Sequence, residues 1–134
     1  MKTLLALTLL FTSTLAFAGN SKTITGLVKL DKKLASKLTS SSVLYIFAKK
    51  IGHRGPPAAV LKVPSPKFPH KFSLSAKNAM FPGTPFDGPF KLTARLTTNG
   101  DVMEKAGSYQ GILSPKNGIA VGTTKNKILI DTPR

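Results

Sequence analysis

Apart from Met1, four side chains of this sequence have the chemistry of soft or borderline metal ligands: His53, His70, Met80 and Met103. Imidazole and thioether groups together suit copper, and no cysteine is present to bind zinc or an iron–sulfur cluster. One interpretation is therefore a copper-binding carrier of cupredoxin-like fold in which Met80 acts with His70 or His53. However, the four residues lack the spacing of a ligand motif, and His70 alternates with apolar residues as a packed side chain does. We therefore expect no resident cofactor and keep copper as the alternative.

Acidic residues are too scarce to suggest catalysis. They are Asp31, Asp87, Asp101, Glu104 and Asp131. Acid–base chemistry needs convergent groups, and no two of these carboxylates are spaced as a pair. The sequence also lacks a G-x-S-x-G nucleophile elbow and a glycine-rich phosphate loop between a strand and a helix. The sequence therefore predicts a protein that is not an enzyme.

The charge of the chain is strongly positive. Lys and Arg number 20 against 5 Asp and Glu, which gives a net charge of +15 over 134 residues. Lysine far outnumbers arginine, the residue that recognises phosphates and bases bidentately. Few aromatic residues accompany the lysines, so we expect no nucleic-acid partner. The charge instead favours acidic protein partners, or electrostatic association with an anionic membrane or envelope.

The N-terminal segment has the composition of a secretory signal peptide. Lys2 precedes an apolar run over residues 4–15, and the sequence AFA at 16–18 is a small-x-small cleavage pattern. The apolar run is too short for a comfortable span of the bilayer. We therefore expect residues 1–18 to be a cleaved signal peptide and residues 19–134 to form one domain in the periplasm.

Short stretches with a two-residue hydrophobic period dominate the remaining chain. In FKLTARLT (90–97), apolar residues alternate with polar ones, so that Arg95 is expected to point outward. The apolar run VLYIFA (43–48) predicts a central strand. Met80 is expected to close one end of the core. Further strands are predicted over residues 23–30, 58–63, 68–75, 109–113, 118–121 and 127–131, and one or two helical turns over 31–38.

This pattern predicts a fold class. About seven short strands separated by turn residues, with almost no helix, are typical of an all-β, two-sheet antiparallel sandwich. The immunoglobulin-like type is expected. A closed barrel such as the OB-fold is the competing architecture.

The order of these segments resembles the C-terminal periplasmic domain of the cytochrome c-type biogenesis proteins CycH and CcmI. The matching stretches are GLVKLD (26–31), VLYIFAK (43–49), PPAAVLKV (56–63), FPHKFSL (68–74), NAM (78–80), KLTARLTTNG (91–100), GSYQG (107–111) and VG…ILID (121–131). Each stretch is short, so the specificity of the resemblance lies in their sum and their common order. The resemblance implies an immunoglobulin-like sandwich, in agreement with the strand pattern.

The resemblance also implies a role in c-type cytochrome maturation, where family members hold apocytochrome c for haem ligation. Full-length members carry membrane helices and a helical-repeat domain ahead of the sandwich, and apocytochrome binding is attributed largely to that helical part. We therefore expect a stand-alone secreted sandwich that acts as a binding or accessory module. Its partner is expected to be a protein or peptide, either apocytochrome c or a component of the maturation machinery.

A contact surface is expected where apolar side chains are rimmed by positive charge. The loop over residues 79–89 supplies the apolar groups, and basic residues come from the end of the central strand and the loop after it. The residues expected to bind the partner are Lys49, Lys50, Arg54, Met80, Phe81, Phe86 and Arg95.

Overall fold

The computed structural model describes residues 22–134, so the predicted signal peptide lies outside the described residues. The strands are β1 (Ile24–Leu30), β2 (Val43–Lys50), β3 (Ala59–Pro64), β4 (His70–Leu74), β5 (Phe90–Thr97), β6 (Ser108–Leu113), β7 (Asn126–Ile130) and β8 (Thr132–Pro133). They form a three-stranded sheet in the order β4-β1-β7 and a five-stranded sheet in the order β3-β2-β5-β6-β8. The predicted all-β, two-sheet sandwich is confirmed.

Each sheet turns one side towards a shared core. In β5, every second residue from Phe90 to Leu96 is fully buried, as the two-residue period predicted. The three-stranded sheet contributes Val28, Ile128 and Ile130, which are also buried in the same cluster. Burial of these side chains stabilises the fold without any disulfide, since the chain has no cysteine.

The apolar run of β2 is explained by what covers its outer side. β2 lies between β3 and β5, which confirms the predicted central strand. Its outward Tyr45 is only 9% exposed, because residues of the β5–β6 loop lie over it. The Tyr45 hydroxyl donates a hydrogen bond of 2.8 Å to the Gly100 carbonyl in that loop. The run is therefore apolar on both sides although only one side faces the core.

One predicted strand is absent from the structure, and the predicted helical turns are of the 3-10 type. Residues 118–121 form an isolated bridge between Ile119 and Phe90 and no strand, because Gly118 and Gly122 on either side have positive φ angles that interrupt extended backbone. Helical turns do follow β1, as a 3-10 helix over Lys32–Lys37. A second 3-10 helix, Ala76–Asn78, follows β4. No helix within residues 22–134 is long and apolar enough to cross a membrane.

The last strands join the two sheets. β7 pairs in parallel with β1, whereas the other strand pairings are antiparallel. The chain then crosses to the five-stranded sheet, where the Asp131 amide donates to the Gln110 carbonyl at 3.3 Å and β8 pairs with β6. At this crossing β6 approaches the β7 backbone so closely that a Cβ on Gly111 would lie 1.9 Å from the Leu129 oxygen.

Candidate functional site

The residues expected to bind a partner gather on the outer side of the five-stranded sheet and on the loops at one of its ends. Lys49 and Lys50 end β2, Arg54 lies in the loop before β3, and Arg95 points outward from β5. Met80, Phe81 and Phe86 lie in the segment between the second 3-10 helix and β5. All but Phe86 line one of two hollows, and some residues that the sequence did not indicate line them too.

The first hollow, which we call the loop hollow, has a volume of about 250 Å³. Phe81 lies at this hollow and is 53% exposed. The Lys50 ammonium lies 3.1 Å from the Asp87 carboxylate at the surface, so one positive charge of the rim is partly neutralised. Its lining residues are Lys50, His53, Arg54, Pro56, Pro57, Ala58, Phe81, Thr84, Pro85 and Asp87.

The second hollow, the sheet hollow, has a volume of about 400 Å³ and lies on the outer face of β2 and β5. Its lining residues are Phe47, Lys49, Pro57, Met80, Lys91, Thr93, Arg95, Val102 and Met103. Pro57 lines both hollows, so they adjoin. We call the two hollows together the Pro57 surface. Its lining includes both apolar and positively charged side chains, and its use as a contact surface stays a prediction.

Backbone pairing fixes Met80 on this surface. The side chain of Ser75 caps the second 3-10 helix by accepting from the Lys77 amide at 3.2 Å. The chain then runs beside β3, where Ala79 bridges Ala59 and the Met80 amide donates to the Ala58 carbonyl at 3.1 Å. This pairing places Met80 outside the core, with 48% of its surface exposed.

The expectation that Met80 closes the core is therefore wrong. Phe86 packs against the core instead: its ring stacks on the buried ring of Phe90 with 4.9 Å between the centroids. Phe86 is half-buried and lines neither hollow. Its place in a partner-binding surface stays a prediction.

Arg95 connects the sheet hollow to the loop that covers the sheet. Its guanidinium carbon lies 5.0 Å from the centroid of the Phe47 ring, a cation–π geometry. Its Nη1 donates to the Val102 carbonyl at 3.2 Å, and Arg134 donates to the same carbonyl at 3.1 Å. Arg95 thus holds the β5–β6 loop against the sheet as a positioning residue.

The environment of Arg95 opposes its charge. Burial, and then the nearby positive charge of Arg134, lower the pKa of the Arg95 guanidinium below its ordinary value. Within residues 22–134, the Arg95 Nε and the Glu104 Oε2 are buried without a hydrogen-bond partner. Both atoms are removed from water without a compensating hydrogen bond, which costs the fold free energy.

The metal-ligand candidates do not share one hollow. His53 lines the loop hollow, and Met80 lines the sheet hollow beside Met103. His70 begins β4 in the other sheet, opposite Val28, and lines neither hollow. Among residues 22–134, no three His, Cys, Asp or Glu residues are placed to hold a metal ion. Copper binding through Met80 with His70 or His53 stays a prediction.

Sequence reasoning missed several residues of the Pro57 surface. Phe47 lies in a run that was interpreted as a central strand, without a distinction between its two sides. Lys91 is the neighbour of Lys49 in the β2–β5 register, which the alternation in both strands could have indicated. Pro57 and Met103 come from loops, and no periodic pattern places loop residues.

The fold and the surface define an immunoglobulin-like β-sandwich that presents an apolar and basic surface. Residues 24–131 match the family described as the cytochrome c-type biogenesis protein H Ig-like domain. The chain belongs to this family, so the resemblance found in the sequence is confirmed. The family is an accessory domain of cytochrome c biogenesis and is not a known class of enzymes.

A second similarity comes from a protein of Aquifex aeolicus (strain VF5) that is described as uncharacterized. The two sequences are 30% identical over 95 residues, which is 71% of this chain and 63% of the relative. The chain thus spans somewhat less than two thirds of that relative's length. No solved structure matches the chain.

Proposed function

We propose that this chain is a non-enzymatic binding module of the periplasm that captures a polypeptide during c-type cytochrome maturation. The bound partner is apocytochrome c or a component of the maturation machinery, and the binding site is the Pro57 surface. The observation that carries the proposal is the exposure of Met80 and Phe81 among Lys49, Lys50 and Arg54, in a domain of a cytochrome c biogenesis family.

The chemistry of this surface suits an unfolded or extended polypeptide. Exposed apolar side chains that are rimmed by polar or charged groups mark sites of protein contact. Met80 is flexible and polarisable, so it adapts to different apolar side chains. The basic rim attracts acidic segments over a long range, whereas the apolar side chains supply affinity that salt does not screen.

The structure gives a magnitude for the contribution of Phe81. A phenylalanine buries about 200 Å² when it is fully enclosed, and about half of that area is exposed here. Burial of about 100 Å² contributes about 2.5 kcal/mol. Loss of the ring should therefore weaken binding by up to about 60-fold. The variant also loses the buried half of the ring, so the fold should be destabilised by up to about 2.5 kcal/mol, and the thermal midpoint shows whether the variant is still folded.

The experiment measures binding of fluorescently labelled, haem-free apocytochrome c by anisotropy at low salt. Wild type should bind, and Phe81→Ala should bind at least tenfold more weakly. Leu129→Ala is the matched control, because Leu129 is 47% exposed on the other sheet and should leave the affinity unchanged. Equal affinity of the Phe81→Ala and wild-type proteins would exclude the Pro57 surface as the site. No binding by wild type to apocytochrome c or to purified maturation components would overturn the function itself.

A further inference from the structure

The outer side of the three-stranded sheet carries a second basic surface, separate from the Pro57 surface. In the middle strand, Leu27 lies opposite Lys71 of β4 and opposite Lys127 of β7. One row across the sheet thus reads lysine, leucine, lysine. A broad, shallow depression of about 950 Å³ lies over this row, and Lys125 completes its basic lining. We call this area the lysine face.

The positive charge of the lysine face is not neutralised within the sandwich. None of the residues that line its depression is acidic. An adjoining hollow shares Ser73 with it and adds Lys22 and Lys77, again without a carboxylate. The ion pair found within residues 22–134 joins Lys50 to Asp87 on the Pro57 surface. Five lysines of one side of the molecule therefore lack an acidic partner in the part of the chain that the structure describes.

The arrangement of these lysines is unfavourable for the isolated fold. Lys71 and Lys127 lie on strands separated by one strand, so their backbones are about 10 Å apart and their charges repel at physiological ionic strength. Lys125 has a φ angle of 59°, in the left-handed region where glycine or asparagine is favoured. Lys125, just before β7, therefore adds charge to the face at the cost of backbone strain. Strained backbone of this kind clusters at binding sites.

We propose that the lysine face docks on a membrane surface of anionic phospholipids. The face is the outer side of a sheet and not a deep groove, so several of its lysines reach a planar layer of negative charge together. Lysine is a strongly hydrated point charge that suits such a layer, whereas bidentate recognition of single phosphates favours arginine. In the next row, Lys29 lies opposite the exposed Leu129, which can enter the headgroup region beside the charges.

This docking does not depend on the proposed capture of a polypeptide. It uses the other sheet, and it leaves the Pro57 surface free to bind a partner while the domain is held at the membrane. Either proposal can therefore fail without the other.

The test measures sedimentation of residues 22–134, which contain both sheets and the whole core described above, with vesicles of phosphatidylcholine and phosphatidylglycerol in a 7:3 ratio at 0.1 M salt. A triple variant changes Lys71, Lys125 and Lys127 to glutamine. Each lysine near an anionic membrane contributes about fivefold to binding, so the variant should bind about 100-fold more weakly. The matched control changes Lys62, Lys105 and Lys116 to glutamine; these exposed residues lie in β3 and in the loops on either side of β6.

The control variant has the same net charge as the triple variant, so it should lose less than about fivefold if the lysine face is the contact. Equal losses in the two variants would show a general effect of net charge and would overturn the proposal. It would also be overturned if wild type bound pure phosphatidylcholine vesicles equally well. Binding of the triple variant to soluble polyphosphate is measured as well. If this variant lost polyphosphate binding but bound vesicles as well as wild type does, the face would be a site for a soluble polyanion, and membrane docking would be overturned.

Lys125→Gly tests the lysine face without weakening the fold. Glycine relieves the positive φ angle, so the thermal midpoint should stay the same or rise. Vesicle binding should nevertheless fall about fivefold, because one charge is lost. Unchanged vesicle binding in this folded variant would remove Lys125 from the contact and contradict the proposed face.

Discussion

The sharpest structural prediction concerns Gly111, where β6 approaches the backbone of β7. A Cβ at this position would lie 1.9 Å from the Leu129 carbonyl oxygen and 2.5 Å from its carbonyl carbon. Carbon and oxygen atoms that are not bonded do not approach within about 3 Å, so Gly111→Ala requires β7 to move by about 1 Å. Both core residues of β7 beside Leu129, Ile128 and Ile130, are buried, and the movement would disturb their packing.

The expected cost is that of overpacking a rigid core, about 3 kcal/mol. For a domain of this size, the entropy of unfolding makes each kcal/mol worth about 4 °C in the thermal midpoint. Gly111→Ala should therefore lower Tm by about 12 °C, and urea denaturation should show a lower midpoint with an unchanged slope.

Gly52→Ala is the control for the general effect of replacing glycine. Gly52 has a φ angle of 77°, but nothing lies within 4 Å of its added Cβ. This substitution isolates the backbone cost, about 1 kcal/mol, from the steric cost. A Gly111→Ala protein within 1 kcal/mol of wild type, or one less affected than Gly52→Ala, would refute the close approach of β6 to β7.

Three further predictions concern the site and its loops. Tyr45→Phe should cost about 1 kcal/mol in urea denaturation, because it removes the hydroxyl that donates to the Gly100 carbonyl. Asp87→Asn should change stability by less than about 0.5 kcal/mol, because the pair with Lys50 is exposed, yet it should tighten binding of an acidic peptide by freeing that charge. Under a competing chelator, His70→Gln should retain as much Cu(I) as wild type, because His70 lies on the other sheet; a loss of copper would place it in a site.

Periodicity predicted most of the strands, because the two sides of a sheet differ in burial. The outward direction of Arg95 and the burial of Leu92 and Leu96 follow from alternation within one strand. The wrong prediction of a strand over residues 118–121 also has a local cause. Gly118 and Gly122 have positive φ angles, which the apolar residues between them do not reveal. The parallel pairing of β1 with β7 depends on contacts between distant segments, which no window of sequence contains.

The site was harder to predict than the fold because its residues come from loops. The choice of Met80 and Phe81 was based on unusual apolar content in a loop, and both side chains are exposed, although Met80 was also expected to close the core. Phe86 belonged to the same loop, but it packs on Phe90. Composition therefore indicated the loop over residues 79–89 as a contact segment. It did not show which of its side chains face outward, which depends on the pairing of Ala79 with Ala59 in the fold.

The even spread of lysines along the sequence conceals two surfaces of different character. On the Pro57 surface, charges surround exposed apolar side chains such as Phe81, whereas the lysine face offers mostly charge around Leu27. Salt shortens the screening length from about 10 Å at 0.1 M to about 3 Å at 1 M, and it weakens charge contacts without weakening apolar ones. Binding of a polypeptide to the Pro57 surface should therefore survive high salt in part, whereas vesicle binding through the lysine face should be abolished. If both activities fell together along one salt curve, a single diffuse electrostatic attraction would explain them, and the assignment of separate surfaces would be wrong.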